Sequence, residues 1–222
     1  MTKMVVFDMA GTTVNEDNLV YKTLRKTINA AGYNFSLHQV LTTGAGKEKL
    51  KAIRDIVSLS GAVPLEQLSN KIYTSFLDEL TKTYDRVELK PQPGAEDTFK
   101  ILRAKNILVI LNTGYDEKTA VTILEKLHWE TGNQIDGLIT ASDVNNNRPN
   151  PDMILLAMEK FGIADAGEVI KVGDSIIDIE EGKNAGCKLS VGITTGAHTH
   201  EQLASANPDY IIDHLTELLP LI

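Results

Sequence analysis

Short runs of β-branched and apolar residues recur along this chain, at Met4–Phe7, Ile107–Leu111, Leu138–Thr140, Val169–Val172, Leu189–Ile193 and Tyr210–Ile212. Helical stretches such as Lys118–Leu127 and Asp152–Phe161 lie between the later runs. Strands alternating with helices of about 10–15 residues predict an α/β fold, a parallel sheet with helices on both faces. Polar chemistry in such a sheet sits beyond the carboxyl ends of the strands. Asp8, Thr113 and Asp174 all directly follow or closely trail these runs.

The stretch from about Glu16 to Arg86 breaks the alternation. It holds no convincing strand but three helical patterns. One spans roughly Asn18 to Ala31, a second follows Gly44-Ala45-Gly46 with Leu50, Ile53 and Val57, and a third carries Leu68, Ile72, Phe76 and Leu80. Spacings of three and four make these amphipathic. The expected organisation is a core of residues 1–15 and 87–222 with an inserted helical cap at 16–86. The return through Lys90-Pro91-Gln92-Pro93-Gly94 suits a stiff hinge.

A chain of 222 residues, 42% hydrophobic, can bury one substantial core and a small inserted domain. Its net charge of −8 argues against nucleic acid or an anionic membrane as partner. An acidic protein acting on an anion needs local positive charge, so a metal or placed Lys and Arg are expected. One cysteine, Cys187, allows no intrachain disulfide and suggests a reducing compartment; it reads as a buried small residue. With no leader-like segment and no long apolar run, the expectation is a cytoplasmic protein. Oligomeric state is left open.

Four segments carry chemistry. Asp8, at the tip of the first strand before Ala10-Gly11-Thr12-Thr13, is a candidate covalent nucleophile, because a carboxylate can form an acyl phosphate. A second acid two residues on would share its face and could protonate a leaving alkoxide, but that position is Ala10. Thr113, with the turn Gly114-Tyr115, offers a hydroxyl and backbone N–H groups to phosphate oxygens, or is a turn or N-cap threonine. Arg148, between a loop and a helix-starting Pro149, offers a fork for a phosphoryl or carboxylate group. Asp174 and Asp178, four apart after a strand, supply hard oxygen ligands that suit Mg²⁺. His198 and His200 read as loop residues, and Trp129 and Tyr84 as packing.

Taken in order, Asp8, Thr113, Arg148 and Asp174 with Asp178 resemble the four motifs of the haloacid dehalogenase superfamily. Asp8-Met9-Ala10-Gly11-Thr12-Thr13-Val14, Thr113-Gly114-Tyr115, Asn147-Arg148-Pro149 and Lys171-Val172-Gly173-Asp174 look like its phosphonatase branch. The resemblance implies a Rossmann-like core with an all-helical cap of the C1 type, and hydrolysis of a small organophosphorus substrate. It further implies Asp8 attacking phosphorus, with Mg²⁺ on Asp8, Asp174 and the Ala10 carbonyl. Asp178 would support the metal's ligands or salt-bridge Arg148. Gly11, Thr12, Thr113, Gly114, Tyr115 and Arg148 would surround the phosphoryl group.

The resemblance leaves two bond classes open. Phosphonatases cleave a C–P bond through a cap lysine that forms an iminium, and Thr43-Gly44-Ala45-Gly46-Lys47 aligns with that lysine's motif at Lys47. Like-charge repulsion from Lys49, Lys51 and Arg54 would favour such an amine. Leu50, Thr43 and Asn18 depart from the phosphonatase pattern, and Thr195–His200 looks more like general phosphatases. The expectation is therefore phosphonoacetaldehyde-like C–P cleavage, with hydrolysis of a small phosphate ester such as phosphoglycolate or a sugar phosphate as the alternative. A phosphate-binding protein without chemistry is a third class, in which a nucleophile is superfluous.

Overall fold

The computed structural model describes residues 1–61 and 66–222. In chain order the elements are β1 (Met4–Phe7), β2 (Val14–Asn15), α1 (Leu19–Ala30), α2 (Leu37–Gly44), α3 (Lys49–Ser58), α4 (Glu66–Arg86) and β3 (Lys90–Pro91). Then come α5 (Ala95–Ala104), β4 (Leu108–Thr113), α6 (Glu117–Leu127), β5 (Gly137–Thr140), α7 (Asp152–Phe161), β6 (Val169–Gly173), α8 (Ile176–Ala185), β7 (Leu189–Ile193), α9 (His200–Ser205) and β8 (Tyr210–Ile212).

Six strands form a parallel sheet in the order β5-β4-β1-β6-β7-β8. The chain builds outward from β1 through β4 to β5, then returns to place β6 on the other side of β1. That reversal puts a crevice at the carboxyl end of β1, where a doubly wound sheet binds its ligands. All four residues of β1 and all five of β6 are buried, as parallel strands covered on both faces require. Met4, Val6, Ile110 and Ile139 pack under α7 in one cluster, while Val5, Phe7, Val109 and Val172 face the other. In the second cluster Phe99 sits edge-on to both Phe7 and Trp129, and Trp129 Nε1 donates to Glu96 at 2.9 Å.

Among the described residues four helices, α1–α4, stand between the short strands β2 and β3, one more than the three expected. The unexpected helix is α2, which buries only Val40 and Gly44 and so shows little apolar periodicity. Its signal was the capping box of Ser36 and Gln39, each side chain bonding the other's backbone. Helix α3 turns a different face inward than Leu50 suggested: Lys49, Ala52, Ile53, Ile56 and Val57 are buried, and Leu50 is half-buried. Strands β2 and β3 pair antiparallel, Val14 with Pro91 and Asn15 with Lys90. The Pro-rich return is thus one side of a two-strand ladder joining both crossings of the chain. Helix α7 starts at Asp152 with Pro151 at its N-cap, so Pro149 does not start it. Cys187 is half-buried rather than buried. Among the described residues no helix is long and apolar enough to cross a membrane.

Candidate active site

Asp8 leaves β1 at the switch point. Its N–H donates to Val172 O at 2.9 Å, and Thr13 Oγ1 returns to Asp8 O at 2.9 Å, closing the turn. Gly11, at φ +84°, lets the turn pass the neighbouring strand: a Cβ there would lie 2.6 Å from Asp174 Oδ2. The Asp174 carboxylate accepts from Ala197 N at 2.6 Å and Thr12 Oγ1 at 3.4 Å. Carboxylate oxygens of Asp8, Asp174 and Asp178 lie within 4.8 Å of one another, all buried.

Arg148 is 1% exposed and stands at the centre of this group. Nη1 meets Asp8 Oδ1 at 2.6 Å and Asp178 Oδ1 at 2.9 Å, and Nε donates to Glu181 Oε2 at 2.9 Å. Nη2 donates to Asn112 O at 2.8 Å and Asn112 Oδ1 at 2.6 Å. Four hydrogen bonds, to Asp8, Glu181 and twice to Asn112, thus fix the guanidinium, and Asp178 lies against it as an ion pair. Arg148 holds the Asp8 carboxylate in place. Burial opposes its charge, but Asp178, Glu181 and Asp8 outweigh that and raise its pKa.

Three residues that sequence reasoning left without a role complete the arrangement. Lys171, fully buried in β6, reaches Asn112 Oδ1 at 2.6 Å, Asp178 Oδ1 at 3.0 Å and Glu181 Oε2 at 3.3 Å. Asn112 Nδ2 donates to Glu181 Oε1 at 2.9 Å. A lysine inside an apolar parallel strand was the available signal, because a buried charge demands a partner. Four buried carboxylates (Asp8, Asp174, Asp178, Glu181) then face two cations (Arg148, Lys171), leaving two negative charges over. Burial, with Asp8 and Asp178 adding like-charge repulsion, pushes Asp174 well up; burial also raises Asp8. Asp178 is also buried, but Arg148 and Lys171 hold its pKa down. Two hard-oxygen ligands carrying uncompensated charge suit a divalent cation such as Mg²⁺.

Thr113 ends β4, and its Oγ1 accepts from Tyr115 N at 3.2 Å; the N-cap of α6 is Asp116 instead. Gly114 abuts the loop before α3: a Cβ there would fall 2.7 Å from Lys47 O and 2.9 Å from Gly46 O. The Gly46 N–H donates to Tyr21 OH at 2.9 Å. This loop lies closed on the sheet's edge. Lys47, however, turns its ammonium to Asp55 Oδ2 at 2.6 Å. It is Lys49, 6% exposed, that is buried between loop and core. His198 is also buried, and its Nδ1 accepts from Ile176 N at 3.0 Å, tying down the start of α8.

Glu16, buried beside this seam, accepts from Tyr84 OH at 2.6 Å, Val20 N at 3.2 Å and Tyr115 OH at 3.4 Å. Tyr84 thus does more than fill the core. Burial pushes the Glu16 carboxyl from 4.5 up to about 7, against those hydrogen bonds. The folded state therefore holds this proton more tightly than the unfolded chain. The resulting stability is whole below about pH 4.5 and is lost as pH rises through about 7. Glu16→Gln is expected to exceed the parent by up to about 3 kcal/mol above pH 7, the gap narrowing towards pH 5. Urea midpoints at pH 5 and pH 8.5 check this.

A family model described as haloacid dehalogenase-like hydrolase matches residues 2–186. This chain is a haloacid dehalogenase-like hydrolase. A bifunctional phosphonoacetaldehyde hydrolase/aminoethylphosphonate transaminase of Clostridioides difficile is 30% identical, over 88% of this hydrolase and 32% of that protein. A phosphoglycolate phosphatase of Escherichia coli K12 is 35% identical, over 59% of this chain and 50% of its own. The hydrolase thus spans about a third and a half of these relatives' lengths. In fold it matches the crystal structure of a phosphonoacetaldehyde hydrolase like protein from Oleispira antarctica. The TM-score is 0.85 at 24% identity, over 99% of this chain and 91% of that one.

Proposed function

We propose that this hydrolase is a Mg²⁺-dependent phosphatase of small phosphate monoesters that uses Asp8 as its nucleophile. The supporting observation is the Asp8 carboxylate, buried at the switch point and aimed by Arg148 beside Asp174. Asp8, Asp174 and the Ala10 carbonyl would hold Mg²⁺, which when bound supplies charge for the phosphoryl oxygens. The chain's own part is positioning and neutralisation, which carry most of the rate enhancement in phosphoryl transfer. Arg148 orients Asp8, and Asp178 and Glu181 fix Arg148. Thr12, Thr113 and Gly114 would surround the phosphoryl oxygens, and helices α1–α4 would close over them as a cap.

An ester is favoured over a C–P bond because Lys47, the amine the C–P route would use, is engaged by Asp55. The second reading, cleavage of a phosphonoacetaldehyde-like substrate, draws on Ala10 and on the 30% identical relative. Phosphate release from alkyl phosphates, sugar phosphates, phosphoglycolate and phosphonoacetaldehyde tests both. The expected result is ester turnover that EDTA stops and added Mg²⁺ restores. Turnover confined to phosphonoacetaldehyde would favour the second reading, and phosphate release unaffected by EDTA would sink the metal assignment.

A further inference from the structure

Lys49 is a buried cation whose ammonium has no carboxylate within salt-bridge distance among the described residues. Its Nζ donates to Lys47 O at 2.8 Å and lies 5.0 Å above the Tyr115 ring and 5.7 Å from that of Tyr21. Those rings come from opposite sides of the seam, Tyr115 following β4 and Tyr21 in α1. Glu48 favours this charge only at longer range: as N-cap of α3 its carboxylate accepts from Leu50 N at 2.7 Å and Lys51 N at 2.8 Å. The same N-cap starts the helix so that Lys49 shares the buried face of Ala52, Ile53 and Ile56. The charges it senses across the seam are those of Asp8, Arg148 and Glu16.

We propose that Lys49 is the proton donor to the leaving group, doing from the cap what Ala10 cannot do from the core. The inference rests on the ester reading. In the first step an Asp8 oxygen bonds phosphorus and the P–O ester bond breaks, its electron pair going to the ester oxygen. That oxygen takes a proton from Lys49 Nζ, leaving a neutral amine. In the second step a water oxygen bonds phosphorus and the bond to Asp8 breaks, returning the carboxylate. The amine takes the proton from that water. One water is consumed, an alcohol and phosphate leave, and both side chains are restored. Burial, the largest influence on Lys49, lowers its pKa despite Asp8 and Glu48, and a weaker ammonium gives up its proton more readily.

The test compares an alkyl phosphate with 4-nitrophenyl phosphate, whose phenolate leaves without a proton, in Lys49→Met and Lys49→Arg proteins with Mg²⁺. Both variants are expected to lose about 10²–10⁴-fold in kcat/KM on the alkyl ester. Both should keep a nitrophenolate burst within about tenfold of the parent's rate, because the proton matters least there. The retained burst also shows that the variants are folded. Arginine keeps the charge but does not give up a proton, so recovery by Lys49→Arg would mean that charge alone matters and would overturn the proposal. Equal losses on both esters would overturn it too, as would borohydride trapping of phosphonoacetaldehyde on Lys49. If the unaltered protein releases phosphate from neither ester, it is the phosphatase reading itself that fails.

Discussion

An Asp8→Asn protein is expected to lose turnover by about 10⁴-fold or more on every phosphate ester the parent hydrolyses, since removing a covalent nucleophile removes the pathway. The amide still fits the turn, because Thr13 Oγ1 and Val172 O bond the Asp8 backbone rather than its carboxylate. An oxygen remains to accept from Arg148. The melting curve should therefore stay close to the parent's, so lost activity reports chemistry and not unfolding. Steady-state phosphate release, with rapid-quench detection of an acyl phosphate in the parent alone, is the measurement. A variant that retained more than a few per cent of parental kcat would remove Asp8 from the mechanism.

Arg148→Met is expected to act on the fold itself. Truncating one partner of a buried ion network leaves the other charges uncompensated, at a cost of about 3–5 kcal/mol. Here the stranded groups are Asp8, Asp178 and Glu181. Lys171 still bonds Asp178 and Glu181, which places the loss in that range rather than above it. Denaturant midpoints should fall accordingly. Arg148→Lys should recover part of the stability but little activity, because an ammonium cannot hold Asp8, Glu181 and Asn112 together. If Arg148→Met melted with the parent, the network described above would not be what holds the sheet's switch point.

These two side chains also show what could be read from the residues alone. Asp8 and Arg148 were legible because each stands in a short segment whose neighbours constrain it, a strand end before Gly-Thr and an Asn-Arg-Pro turn. The sheet was legible for a similar reason: buried parallel strands are continuous apolar runs. Glu181 was hidden because α8 buries Asp178 and Glu181 along with Ile177 and Ile179, which blurs the apolar periodicity of the helix. Telling which of Lys47 and Lys49 is buried needed the helix phase. The phase comes from the Glu48 N-cap, and no count of residues from Gly44 supplies it. The direction of the Arg148 fork lay further out of reach, because all five of its partner oxygens are remote in sequence and four of them belong to side chains.

Gly114 and Gly46 meet backbone to backbone, without space for even a methyl group between the sheet's edge and the loop ahead of α3. With that seam shut, Asp8 is buried, so substrate can reach it and product can leave it only when the seam parts. Each catalytic cycle then includes two mechanical events, and their rate caps the turnover number however fast the bond breaking becomes. A compound slightly too long to let the seam shut would not be refused at the entrance. It would be admitted and held with the seam ajar, and discrimination among substrates would appear as time spent waiting rather than as strength of binding.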